Sequence, residues 1–166
     1  MTIIDGKALS EKILRKIEQE HSELEKKVGR KAGLAVIIVG ENSASQIYVR
    51  NKIKACERVG FYSETIRLPE DITQEELLCK IRKLNEDKKI DGILVQLPLP
   101  KHIDELKVIN EIASSKDVDG FHAENIGKMM IGDKTVFLPC TPYGIMQMFE
   151  EYKIELLGKD AVIVGR

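Results

Sequence analysis

Leu34-Ala35-Val36-Ile37-Ile38-Val39, ended by Gly40, is an unbroken apolar run in which the last four residues are β-branched. It is far too short to cross a membrane, and it lacks the alternation of a half-exposed strand. Such a run suits a parallel strand buried on both faces, and the flanking segments offer the covers it needs. Upstream, Leu9, Ile13, Ile17, Leu24 and Val28 recur at helical spacing over residues 9–28, and Gly29 supplies a C-terminal stop. Downstream, a helix is expected from Ser43 to Val59, stopped by Gly60.

The rhythm then repeats. Tyr62–Leu68 reads as a strand broken by Pro69, and Thr73 with Glu76 forms a capping box for a helix carrying Leu77, Leu78, Ile81 and Leu84. Gly92–Leu97 reads as a third strand, closed by Pro98 and Pro100, and Ile103–Ile112 reads as helix. Strand alternating with helix predicts an α/β fold, a parallel sheet with helices on both faces. Residues 114–139 are rich in Gly, Asp, Ser and Lys and read as a long functional loop with at most a short strand. A helix is expected from Pro142 to about Tyr152, with Thr141 as N-cap and Pro142 at the first helical position. Ala161-Val162-Ile163-Val164 reads as a buried strand running into Gly165, the way a nucleotide-binding βαβ unit begins. The expected division is a catalytic domain over residues 1–140, then a connecting helix and the first strand of a truncated domain over 141–166.

Composition narrows the classes of function. Lys and Arg total 26 against 27 Asp and Glu, a net charge of −1, so no long-range field draws the protein toward nucleic acid or an anionic membrane. No leader or membrane-spanning run is read in the sequence. Cys56, Cys79 and Cys140 form no CxxC pair, and His21, His102 and His122 have no metal-ligand spacing. The expectation is reduced thiols in the cytoplasm and no metal.

Chemistry is sought where parallel strands end, because ligands bind at their carboxyl edge. Past the first strand, Ser45, Tyr48 and Lys52 fall at i, i+3 and i+7 of the expected helix, which puts a hydroxyl, a phenol and an amine on one stripe. A surface lysine lying over a tyrosine is the ordinary alternative. Gln96, at the end of the third apolar run, needs a partner, and an unpaired buried amide costs about 1–3 kcal/mol. Parallel topology brings it to the same edge as Lys52, where its carbonyl can orient the amine. In Lys116-Asp117-Val118-Asp119-Gly120-Phe121-His122, the two Asp could mark only a turn, and they are expected to do different jobs, one to cap structure and one to face a pocket. Cys140, with no evident base beside it, reads as a packed thiol, a nucleophile role being the minor alternative.

Five stretches carry a resemblance: Ile4-Asp5-Gly6-Lys7; Val39-Gly40 leading to Ala44-Ser45-x-x-Tyr48-Val49-x-x-Lys52; Gly92-Ile93-Leu94-Val95-Gln96-Leu97-Pro98-Leu99-Pro100; Lys116 to His122; and Pro139-Cys140-Thr141-Pro142. In this order and spacing they resemble the bifunctional methylenetetrahydrofolate dehydrogenase/methenyltetrahydrofolate cyclohydrolase family over nearly the whole chain. The resemblance implies an amino-acid-dehydrogenase-like N-terminal domain followed by the start of an NADP-binding Rossmann domain. It implies NADP-dependent oxidation of 5,10-methylenetetrahydrofolate and hydrolysis of the methenyl product to 10-formyltetrahydrofolate. Residue by residue, it implies Lys52 as the catalytic lysine, supported by Tyr48 and Gln96. Ser45, Tyr48, Gln96, Leu97, Pro98 and Asp119 would contact the substrate, with Asp119 recognising the pterin. Gly165 and Arg166 would lie near the cofactor phosphate. A tetrahydrofolate as partner, no nucleic acid or membrane, and a homodimer of the full-length enzyme complete the set.

Those chemistries suit the residues. A carboxylate accepts two parallel N–H bonds from a pterin edge, and a phenol ring offers a face to a flat heterocycle. An amine acts as a base only when neutral, a form favoured by partial burial and by the positive charge of a bound iminium. Two departures from the family pattern stand out: Ser114 occupies the usual proline position two residues before Lys116, and the second-domain motif stops at Gly165-Arg166. A non-catalytic tetrahydrofolate-binding module is the alternative from another class. A receiver or flavodoxin-like domain would require an acidic cluster or phosphate loop where Gly40-Glu41-Asn42-Ser43 stands.

Overall fold

The computed structural model describes residues 3–164, and the statements below concern those residues. The decisive run forms strand β1 (Gly33–Val39), flanked by α1 (Gly6–Val28) and α2 (Ser43–Val59). There follow β2 (Tyr62–Leu68), α3 (Gln74–Glu86), β3 (Gly92–Val95), α4 (Glu105–Glu111), α5 (Ala123–Met130) and α6 (Cys140–Glu151). The sheet is parallel with the order β2-β1-β3, Val36 pairing with Thr65 on one side and Leu94 on the other.

β1 is central, and its two rows of side chains face two cores. Ala35, Ile37 and Val39 pack with Leu77, Ile81 and Leu84 of α3 and Val108 of α4. Val36 and Ile38 pack with Val49 of α2 and Leu94 of β3. The handedness of the connections accounts for this. The β1-to-β2 crossover moves one way along the sheet and the β2-to-β3 crossover moves the other. Two right-handed crossovers in opposite directions must lie on opposite faces.

Local signals set most boundaries. Asn42 caps α2 by accepting from Ser45 N–H at 3.1 Å, and Gly60 ends it in the left-handed region at φ 81°. Thr73 and Glu76 form the reciprocal capping box, Thr73 N–H donating to Glu76 Oε2 at 2.9 Å. Lys116 closes the other end of α3, its Nζ donating to the carbonyls of Leu84 (2.9 Å) and Asp87 (2.8 Å).

Several expectations need correction. β3 stops at Val95 rather than Leu97: Gln96 N–H still bonds Ile37 O at 2.8 Å, but Pro98 has no N–H with which to extend the ladder. α1 begins at Gly6, three residues early, because Asp5 accepts from Ala8 N–H at 2.9 Å, while Leu24 and Val28 of its apolar stripe remain exposed. The expected helix over 103–112 is the shorter α4, capped by Asp104. The expected long loop contains α5, whose Glu124 N–H donates to His122 Nδ1 and whose Ala123 N–H donates to Asn110 Oδ1. α6 starts at Cys140 after Pro139, not at Pro142 with a Thr141 cap. Ala161–Val164 is not a strand, and Val162, Ile163 and Val164 are 87%, 95% and 94% exposed. An apolar run becomes a strand only where another strand pairs its backbone, and none of the described strands lies beside it.

Truncating the centre of the larger core tests this account. Ile81→Ala is expected to cost about 3 kcal/mol in urea unfolding, against about 1 kcal/mol for the cap substitution Thr73→Ala.

Candidate active site

β1 and β3 are neighbours whose outgoing connections leave on opposite faces, so a crevice opens between their carboxyl ends. A cleft of about 790 Å³ runs from there along the α2 side of the sheet. Its walls are largely apolar, formed by Leu34, Leu94, Phe61, Val118, Phe121 and Phe137, with Tyr48, Lys52, Gln96, Asp119 and Cys140 among its polar lining. Gly92 makes room for one wall: a Cβ there would stand 2.5 Å from Val118 Cγ1.

Lys52 comes from the middle of α2 and Gln96 from the residue after β3, and Lys52 Nζ donates to Gln96 Oε1 at 3.1 Å. The other end of the amide is also engaged, Gln96 Nε2 donating to Leu97 O at 2.8 Å. With its NH₂ spent on a carbonyl, the amide can present only oxygen to the lysine, which aims the amine. Tyr48, one helical turn before Lys52, is 61% exposed and leaves its ring face open at the rim.

The two aspartates divide their work. Asp117 is 2% exposed and accepts from Gly120 N–H (3.1 Å), His122 N–H (2.8 Å) and Asn125 Nδ2 (3.0 Å), so it folds the loop. Asp119 faces the cleft. Burial pushes its carboxyl above the usual carboxylate range, against the opposing pull of the Lys52 charge.

Not every expected contact reaches the cleft. Ser45 is 3% exposed, its hydroxyl 3.4 Å from Leu97 O, so it supports the loop that carries Leu97. Leu97 lines the cleft, whereas Pro98, after the cis Leu97–Pro98 bond, is exposed outside the lining. Thr141 and Pro142, expected as a helix cap, line the cleft instead. Cys140 lies within the lining, its residue open to solvent but its thiol partly shielded, and that shielding together with the Asp119 charge raises its pKa. Its neighbour Asp119 is 21 residues away in the chain, so no local pattern announced the pair. The expected dinucleotide contacts Gly165 and Arg166 lie outside the described residues. The strand-to-helix turn at Gly40-Glu41-Asn42 carries no G-x-G-x-x-G.

The raised Asp119 pKa has a consequence for stability. A carboxyl harder to ionise when folded destabilises the protein above its folded pKa, and the penalty fades as pH falls toward the unfolded value. Asp119→Asn is therefore expected to raise the urea midpoint at pH 7, with the gain shrinking by about pH 4. Urea titrations of both proteins at the two pH values check it.

Comparison with known proteins places the chain in a family. The profile for the tetrahydrofolate dehydrogenase/cyclohydrolase catalytic domain matches residues 4–119. The bifunctional protein FolD of Burkholderia mallei is 57% identical over 165 residues, covering 99% of this chain and 57% of that protein. The crystal structure of the Campylobacter jejuni FolD methylenetetrahydrofolate dehydrogenase/cyclohydrolase superposes with a TM-score of 0.96 at 52% identity, over 100% of this chain and 58% of that one. The Trypanosoma brucei enzyme, solved with NADP cofactor and an inhibitor, gives 0.91 at 36% identity over 95% of this chain and 54% of its own. The chain thus spans somewhat more than half the length of these relatives. Sequence profile, fold and cleft together show that the chain belongs to the tetrahydrofolate dehydrogenase/cyclohydrolase family.

Proposed function

We propose that this chain is the folate-binding catalytic portion of an enzyme that oxidises 5,10-methylenetetrahydrofolate and hydrolyses the resulting 5,10-methenyltetrahydrofolate to 10-formyltetrahydrofolate. The observation that carries the reading is the Lys52–Gln96 hydrogen bond at the polar end of an apolar cleft that also holds Asp119 and Tyr48. Residues 1–140 are read as the catalytic domain, and 141–166 as the connection to a dinucleotide-binding domain.

Each side chain has a chemical task. The pterin is flat, with hydrogen-bond donors along one edge. Tyr48 covers its face and Asp119 accepts from its edge, which fixes the angle at which the one-carbon bridge meets Lys52. In the hydrolysis, water adds to the cationic methenyl carbon and gives its proton to the Lys52 amine. The bond from that carbon to N5 then breaks as the proton passes from Lys52 to N5, and the carbinol hydroxyl releases its remaining proton to solvent as the carbonyl forms, leaving the formyl group on N10. One N–H of Lys52 is held by Gln96, so the nitrogen stays aimed as the proton moves. Ser45 and Leu97 hold the loop that walls the pterin. NADP would supply the hydride acceptor for the oxidation, and Gly165 and Arg166 are the residues proposed to lie near its phosphate.

The reading extends to a cytoplasmic homodimer acting on a small-molecule tetrahydrofolate, apart from nucleic acid and membrane. Three free cysteines accord with a reducing compartment, and no helix of the described residues is long and apolar enough to cross a membrane.

Methenyltetrahydrofolate hydrolysis by the chain and by Lys52→Met tests the assignment. A drop of about a hundredfold or more in the variant is expected from loss of a general base. A correctly folded Lys52→Met that hydrolyses at the original rate overturns the role of Lys52. Tight folate binding with no hydrolysis by the unmodified chain favours the binding-module reading.

A further inference from the structure

Three consecutive residues at the cleft wall are gripped by one distant segment. Gly120 has φ 70°, and a Cβ there would stand 2.7 Å from Leu138 C, 2.8 Å from Phe137 O and 2.8 Å from Pro139 N. The left-handed glycine thus lets the backbone of 137–139 lie directly on the turn after Asp119. The next residue of that segment, Cys140, sets its Sγ 3.5 Å from Val118 O and 3.8 Å from Asp119 Oδ1. A thiol is a weak donor with a single proton, and a fixed carbonyl and the carboxylate both stand within its reach, so the pair of contacts defines a direction. The thiol's raised pKa keeps that proton in place. Of the described groups, the Lys52 charge is the other influence drawing Asp119 toward its ionised form.

We propose that Cys140 is a positioning residue for Asp119, its thiol holding the carboxylate in the orientation that meets the ligand. For a folate ligand this rests on the function proposed above, while the contact between thiol and carboxylate does not. The contact acts on ionisation as well as on geometry. A donor to a carboxylate favours the charged form, so removing the thiol raises the Asp119 titration midpoint. A serine hydroxyl, a stronger donor of similar shape, restores it.

The experiment is a ¹³C NMR pH titration of the Asp119 carboxyl in the unmodified chain, Cys140→Ala and Cys140→Ser, with Asp119→Asn assigning the signal. Affinity for 5-formyltetrahydrofolate is measured on the same samples. The expected result is a higher midpoint and affinity weakened by about three- to tenfold in Cys140→Ala, both recovered in Cys140→Ser. An unchanged midpoint in Cys140→Ala overturns the proposal. So does folate affinity that is indifferent to loss of the thiol. A shifted midpoint in a protein that binds no folate sustains the positioning contact and overturns the folate reading instead. A residue with only a packing role would leave the midpoint unmoved or, by admitting water to the carboxylate, lower it.

Discussion

The burial of β1 on both faces is the constraint on which the molecule depends. Its residues carry no polar side chain, so each face must be covered, and the parallel pairings to β2 and β3 leave helices to do it. Right-handed crossovers in opposite directions send α2 to one face and α3 with α4 to the other. The same geometry splits the connections leaving β1 and β3. The helix bearing Lys52 and the loop bearing Gln96 therefore converge on one crevice, though 44 residues separate them in the chain.

The crevice works by opposing effects. Apolar walls strengthen each polar contact inside, and the same desolvation penalises the Asp119 carboxylate. Lys52 offsets part of that penalty by charge and Cys140 by hydrogen bonding, yet burial prevails and the pKa stays raised. Asp117, two residues earlier and more deeply buried, faces no such imbalance of partners. Two backbone N–H groups and the Asn125 amide satisfy it. Identical side chains two positions apart thus serve the loop and the cleft respectively, because the turn through 118–119, closed by Gly120 N–H to Asp117 O at 3.3 Å, sends them to different sides.

Much of this architecture was legible in the residues. The boundaries of α2 and β2 followed from Gly60, Pro69 and the apolar patterns, and the capping box at Thr73 and Glu76 formed as its spacing indicated. α5 was not legible, since an eight-residue helix containing Gly127 offers too little periodicity and its cap is a histidine. Ser45 shared a helical stripe with Tyr48 and Lys52, but that stripe crosses from the core to the rim. The residue nearest the β1 end is covered by the Leu97 loop, and the others are left at the cleft.

The chain alone determined where the three strands and their main covering helices lie, because periodicity, caps and breakers act between neighbours in sequence. It also placed Lys52, Gln96 and Asp119 at strand ends that topology must bring to one edge. Only the tertiary structure decided that Cys140 opens into the cleft beside Asp119, that Ser45 turns away, and that Ala161–Val164 stays unpaired and exposed. Each of those outcomes depends on what packs against the residue from elsewhere in the chain. Solvent exposure and hydrogen bonding are properties of that assembled surface, and no local pattern encodes them.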